Sequence, residues 1–385
     1  MDLDLSPRHI DFRDECRTWL AEHHPGRIAS MDTPEGFEQH REWERVLYDA
    51  GWSVPAWPAA YGGRDCDLIE WLIYEEEYWL SGVPGRVSAN GVSLLAPTIF
   101  NFGTQEQQDY FLPRMASGEH IWAQGWSEPE AGSDLAGIKT KAILDGDDYV
   151  LNGQKTWCSR GAFADWIFCI VRTDPDAERH AGLTYLLVPA DTPGMERRPI
   201  GRLDGEPGFA ELFFDDARVS AEHVLGEVGQ GWAVAMAAAG SERGLSLRSP
   251  GRFMAAAERL NRLVREIRSG GRRVDPRLRD EVTDAWIKAQ AYRWQTYQMA
   301  ADLMDGAEIG PEASEGKVFW SELDLELHAT ALRLLGEAGE VVGASPDAED
   351  WMGGYVFALS GPIYAGTNEI QRNIIAERVL GLPRR

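Results

Sequence analysis

The chain has 385 residues, 44% hydrophobic and 26% charged, enough for a large core divided into roughly two or three packed units. Its formal net charge of −24 argues against a nucleic-acid partner and against anionic membrane surfaces, because phosphates would be repelled. The opening Met1-Asp2-Leu3-Asp4-Leu5-Ser6-Pro7 has no basic region followed by an apolar run, and no stretch approaches the length of a membrane span. Cys16, Cys66, Cys158 and Cys169 form no CxxC pair, and the eight histidines form no ligand cluster. These features predict a cytoplasmic protein with reduced thiols and no metal site.

Residues 1 to about 120 read as helical. Ser6 is placed to cap a helix with Pro7 at its first position, and Phe12, Cys16, Trp19 and Leu20 share one face. Pro55, Pro58 and Gly62-Gly63 interrupt the pattern, and helix resumes near Asp67. The run Glu75-Glu76-Glu77 reads as a solvated helix face.

The character changes after Trp126. Residues 138–150 alternate and turn at Asp145-Gly146-Asp147, and Asn152-Gly153 gives a second hairpin signal. The apolar runs Trp166–Val171, Leu183–Val188 and Phe209–Phe214 follow. They predict a β-barrel or sandwich unit inserted between helical parts. Helical periodicity returns at Gly231-Trp232, with long amphipathic segments over Phe253–Ile267 and Val282–Met304 and a loop from Ser269 to Pro276. A last helix begins near Asn368 and stops at Gly381, with Pro383 beyond.

Two blocks stand out: Gln124-Gly125-Trp126-Ser127-Glu128-Pro129-Glu130-Ala131-Gly132-Ser133-Asp134 and Asn152-Gly153-Gln154-Lys155-Thr156-Trp157-Cys158-Ser159. Together they resemble the flavin-binding blocks of the acyl-CoA dehydrogenase family. The resemblance extends over nearly the whole chain, through Trp57–Gly63, Phe102–Glu106, Leu112–Glu119 and Leu225–Trp232, in family order. It implies an α+β fold, with an N-terminal α-helical domain (1–122), a middle β-barrel (123–230) and a C-terminal helical bundle (231–385).

The resemblance also implies FAD. Gln124, Gly125, Trp126 and Ser127 match the segment along the polar edge of the flavin, with the Ser127 hydroxyl near N5. Trp157 is similar to the aromatic that lies against the ring, with Cys158 and Ser159 beside it. Ser133 matches a serine at the junction of cofactor phosphates and CoA. Near the C-terminus, Gly366, Thr367 and Glu369 fit the family's GT-x-[QE] pattern, with Gly366 toward the thioester and Thr367 and Glu369 toward the flavin. Taken alone, Trp157 reads equally as core in a chain with 15 tryptophans, and Ser133-Asp134 as a turn or cap.

The family reaction removes an α-proton from a CoA thioester while a β-hydride passes to the flavin. It therefore needs a carboxylate beside the α-carbon. The family position that often carries it is Ala365 here, in Ile363-Tyr364-Ala365-Gly366-Thr367. Isovaleryl-type and long-chain-type branches instead carry a glutamate on a helix just before an arginine, about ten residues after the match to Gly231-Trp232. That pattern points to Glu242 as the base, with Arg243 as a substrate-side partner. A solvated Glu-Arg pair is the plain alternative.

Two departures bear on assembly. Ser269–Arg277 stands where many relatives have Arg-x-x-Phe-Gly, and Arg333-Leu334-Leu335-Gly336-Glu337 where they have Gln-x-x-Gly-Gly. The resemblance implies an acyl-CoA substrate, electrons leaving to an electron-transferring flavoprotein, and a homotetramer or a heterotetramer with a second family member. The alternatives are an FAD-sharing or structural subunit of such a heterotetramer, or a flavin monooxygenase on the same fold. An anionic CoA ester would need a local basic patch against the overall field.

Overall fold

The structure, a computed structural model, describes residues 4–243, 249–307 and 309–383, with the main chain only for 241–243. In chain order the elements are α1 (Pro7–Glu22), α2 (Pro34–Asp49), α3 (Leu68–Ser81), α4 (Ala96–Phe102) and α5 (Gln105–Ala116). The strands follow: β1 (Trp122–Gly125), β2 (Lys141–Asp145), β3 (Asp148–Ser159), β4 (Trp166–Arg172), β5 (Leu183–Pro189), β6 (Met195–Ile200), β7 (Phe209–Ser220) and β8 (Val224–Leu225). The chain ends in α6 (Gly231–Arg243), α7 (Pro250–Ser269), α8 (Pro276–Met304), α9 (Ala313–Leu335), α10 (Pro346–Ala358) and α11 (Asn368–Ile374). The expected order of helices, β unit and helices holds. No helix among the described residues is long and apolar enough to cross a membrane.

Contacts divide the chain into two compact units. One comprises residues 25–65 and 84–242. Its sheet runs β6-β7-β3-β2-β4-β5-β8, with β1 parallel to β4. β4 and β5 pair antiparallel from Trp166↔Pro189 to Arg172↔Leu183, and both are buried on both faces, hence their unbroken apolar runs. Ile167, Val171, Leu186, Val188, Leu212 and Ala217 form the centre of the core.

Three strands had no clear signal in the sequence. β6 (Met195-Glu196-Arg197-Arg198-Pro199-Ile200) is an edge strand paired to β7, where charge and proline are tolerated because one side needs no ladder. β1 and β8 are too short to show a period. The Asp145-Gly146-Asp147 turn is a hairpin between β2 and β3, as expected. Asn152-Gly153 is not a turn: β3 continues through it, and the register against β7 slips between Leu151 and Gly153. Gly153 has φ +148°, and a Cβ there would lie 2.6 Å from Thr140 Oγ1. The glycine serves a bulge and a close approach rather than a hairpin.

The other unit comprises residues 1–24, 66–83 and 243–385. α1 opens with the Ser6 hydroxyl accepting from His9 N, 3.3 Å, and buries Phe12, Cys16 and Leu20. Trp19 sits half-buried at the margin of that face, stacked on His23 at 4.5 Å. α3 opens on a capping box between Asp67 and Glu70. Its glutamate run is not a solvated face. Glu76 and Glu77 are buried, each clamped by an arginine: Arg293 on Glu76 at 2.5 and 2.9 Å, Arg17 on Glu77 at 2.7 and 2.8 Å. Charge alone could not reveal this, because both partners come from distant helices. α7, α8 and α9 pack around Phe253, Leu260, Trp320, Leu323 and Leu327.

Candidate functional site

The two blocks singled out in the sequence meet in the first unit through one buried ion pair. Lys155, on β3, is completely buried. Its Nζ donates to Glu128 Oε1 at 2.8 Å and to Trp126 O at 3.1 Å. Glu128 also accepts from the main-chain N–H groups of Lys139 (2.6 Å) and Thr140 (2.9 Å). Burial alone would raise the Glu128 carboxyl, but the Lys155 charge and these hydrogen bonds outweigh it and hold it below the ordinary carboxylate range.

Ser127 lies between the two residues that Lys155 grips, and its carbonyl accepts from Thr156 N at 2.9 Å. The loop carrying Ser127 is thus fastened to β3 at three successive residues. Glu128, Lys155 and Thr156 were not singled out in the sequence. The available signal was the one cation of the second block, Lys155, set against three carboxylates in the first, Glu128, Glu130 and Asp134.

Immediately after this clamp, Trp157 has φ +60° and is 60% exposed. It falls at a second slip in the β3–β7 register, between Lys155 and Cys158. A bulky residue in the left-handed region carries strain of about 1–3 kcal/mol, and such strain gathers at functional sites. The indole meets Phe209 edge-on at 6.0 Å and leaves much of its surface uncovered. A flat, exposed aromatic beside a half-buried serine on a pinned loop fits a planar ring system with a polar edge.

The other block residues divide clearly. Gln124 is half-buried on β1. At Gly125 a Cβ would lie 2.7 Å from Cys169 Sγ, so the strand packs there without a side chain. Trp126 is buried, and its Nε1 has no hydrogen-bond partner among the described residues. Cys158 is wholly buried in the sheet core, where burial pushes its thiol far up and that of Cys169 up to about 12. Only the Cys158 main chain is left to meet a ligand. Ser159 is half-buried at the end of β3. Ser133 is exposed, next to Asp134, which pairs with Arg179 at 2.5 Å.

In the second unit, Ala365 has φ +56° and Gly366 φ +76°, two left-handed residues in a row. Thr367 then caps α11, its hydroxyl accepting from Ile370 N at 3.3 Å. Glu369 is exposed in the first turn, and hydrogen bonds from its own N–H and from Thr367 hold its carboxyl below the ordinary range. Asn368 is buried, and its Oδ1 accepts from Lys317 Nζ (2.7 Å) and Ser321 Oγ (3.1 Å) of α9. Gln371, wholly buried, donates through Nε2 to Ala365 O at 2.7 Å and to Gly366 O at 3.4 Å. Lys317 and Gln371 were not singled out in the sequence either.

Glu242 and Arg243 end α6, but their side chains lie outside the described residues. Of the two family departures, Ser269–Arg277 spans the end of α7, a connecting loop and the start of α8. In the other, Arg333 pairs with Glu281 of α8 at 2.5 Å and Glu337 is exposed. Among the described residues, no group of three or more His, Cys, Asp or Glu side chains is arranged to hold a metal ion.

Comparison with known proteins gives matches along the chain. Residues 6–119 match the acyl-CoA dehydrogenase N-terminal domain, 123–217 the middle domain and 229–380 the C-terminal domain. Acyl-CoA dehydrogenase IpdE1 of Mycobacterium tuberculosis is 41% identical over 97% of this chain and 98% of its own length. Acyl-CoA dehydrogenase FadE26 of the same organism is 31% identical over 100% and 99%. Among solved structures, the Tcur3481-Tcur3483 steroid ACAD superposes with a TM-score of 0.88 at 28% identity, covering 100% of both chains. The ChsE4-ChsE5 complex from Mycobacterium tuberculosis gives 0.84 at 30%, again over 100% of both.

Proposed function

Starting from a chain that belongs to the acyl-CoA dehydrogenase family, we propose that it desaturates a CoA thioester between its α- and β-carbons with FAD as resident cofactor. The observation that carries this reading is the Lys155–Glu128 clamp, which fixes Ser127 against β3 beside an exposed, strained Trp157. Trp157 gives a ring its apolar face, while Ser127 and the Trp126 main chain give its edge directed donors. Gln124, Gly125 and the Cys158 main chain line the same strands. Ser159, Thr367 and Glu369 add polar contacts, and Ser133 stands toward phosphates. When bound, FAD supplies the two-electron acceptor for the β-hydride.

Glu242 takes the α-proton. Ala365 has no carboxylate to offer, and catalysis depends on where a base sits and on its pKa, not on its place in the chain. Gly366 and Arg243 serve the substrate side. A methyl group at 365 leaves room where a longer side chain would stand. Together with the likeness to a steroid ACAD, this favours a bulky or polycyclic acyl group. Electrons then leave to an electron-transferring flavoprotein.

A second reading concerns assembly. Both solved neighbours carry two component names, and one is described as a complex. The replaced glutamine and Phe-Gly segments suit a chain that works with a second family member in a heterotetramer, rather than as a homotetramer. Denaturing the purified protein is expected to release FAD into the supernatant. Colourless protein that takes up no FAD, alone or co-expressed with a second family member, would contradict the cofactor assignment.

A further inference from the structure

Resting on that reading, we propose that Gln371 is a positioning residue: its side-chain amide, acting only as a donor, holds the Ala365-Gly366 turn in the shape that presents Gly366 and Thr367 to cofactor and thioester. Three observations converge. The two consecutive left-handed residues, one of them a non-glycine, form a strained turn, closed from outside by the main-chain bond from Asn368 N to Pro362 O at 2.8 Å. The two N–H bonds of one amide supply the restraint, one toward each carbonyl, at 2.7 and 3.4 Å. A Cβ at Gly366 would lie 2.7 Å from Gln371 Nε2, so the amide fills the space a side chain would take.

The orientation of the amide is not ambiguous. Gln371 Oε1 is buried and has no hydrogen-bond partner among the described residues. Exchanging O and N would set that oxygen against two carbonyl oxygens. An orphaned buried acceptor is unfavourable, and an apolar side chain of the same length would avoid it. What glutamine adds over such a side chain is the pair of donated bonds. The start of α11 is anchored separately, through Asn368 to Lys317 and Ser321. Loss of Gln371 should therefore loosen the turn without freeing the helix.

The test uses two variants and follows FAD dissociation from holoprotein by flavin fluorescence across a range of pH. Gln371→Met fills the volume and removes both bonds. It should hold FAD about tenfold more weakly at every pH, matching the loss of a bond or two of ordinary strength. Gln371→Glu adds a titration that the wild type lacks. Burial raises its carboxyl, and while protonated it still donates to Ala365 O. Once ionised, it faces two carbonyl oxygens. Its FAD affinity should be near wild type at the acid end and weaken by up to about tenfold per pH unit above that pKa.

Should Gln371→Met fail to fold, the pH limb of Gln371→Glu still decides. Wild-type affinity in Gln371→Met, or a Gln371→Glu profile parallel to wild type, would overturn the proposal. Wild-type protein that binds no FAD would instead overturn the functional reading beneath it.

Discussion

Glu242→Gln is expected to lower desaturation by about 10²–10⁴-fold, the range for removal of a positioned base, while leaving FAD content and thioester affinity nearly unchanged. Glutamine keeps the shape of the side chain and loses the basic oxygen. The expectation rests on the pairing of Ala365, which has no carboxylate, with a glutamate at the end of α6. The rate loss should lie in kcat, because an interaction confined to proton transfer is absent from the ground state. Adding Ala365→Glu to that background should recover part of the rate if the acyl group leaves room. Glu242→Gln protein that turns over near the wild-type rate would overturn the assignment and direct the search to a base on a partner chain.

Lys155→Met is expected to lower the stability of the β unit by about 3–5 kcal/mol, because it leaves the Glu128 carboxylate buried without its cation. Denaturant midpoints measure it. Converting both residues to apolar ones, Lys155→Met with Glu128→Leu, should recover much of the loss, since no charge then remains buried. The pair also sets an acid limb. The Glu128 pKa in the folded protein is held below its unfolded value, so its contribution is present above the unfolded pKa and lost as pH falls through the folded one. Stability should therefore drop below about pH 4, and Glu128→Gln should flatten that part of the drop. A Lys155→Met protein as stable as wild type would mean that the clamp does not hold the two blocks together.

The fold was legible in the sequence wherever one element carried its own signal. Ser6-Pro7, the hairpin around Gly146, and the doubly buried runs of β4 and β5 were readable because capping, turn and burial chemistry are local. What was misread depended on partners far along the chain. The glutamates of α3 look solvated until Arg17 and Arg293 arrive from other helices. Asn152-Gly153 looks like a turn until Thr140 and β7 show that the strand continues.

The candidate site follows the same rule. Its family residues were named from motif order, but the Lys155–Glu128 pair that holds the first of them emerges only when two segments are folded together, and the Gln371 amide only when its turn has taken its left-handed shape. Trp157 and Ala365 carried no sequence sign of strain, because left-handed backbone at a non-glycine residue is imposed from outside it. Cys158, named with the cofactor residues, shows its side chain in the core, as expected for every second position of a strand that bulges beside it.

The most direct test of the central claim is anaerobic mixing of the FAD-loaded protein, with any partner chain it requires, with a bulky acyl-CoA such as a steroid side-chain thioester. Flavin absorbance and the mass of the thioester are followed together. The expected result is bleaching of the oxidised flavin with matching loss of two hydrogens from the thioester, and with bleaching slowed in Glu242→Gln. A flavin that stays oxidised with every acyl-CoA offered, while the same protein forms oxygenated product once air is admitted, would contradict it.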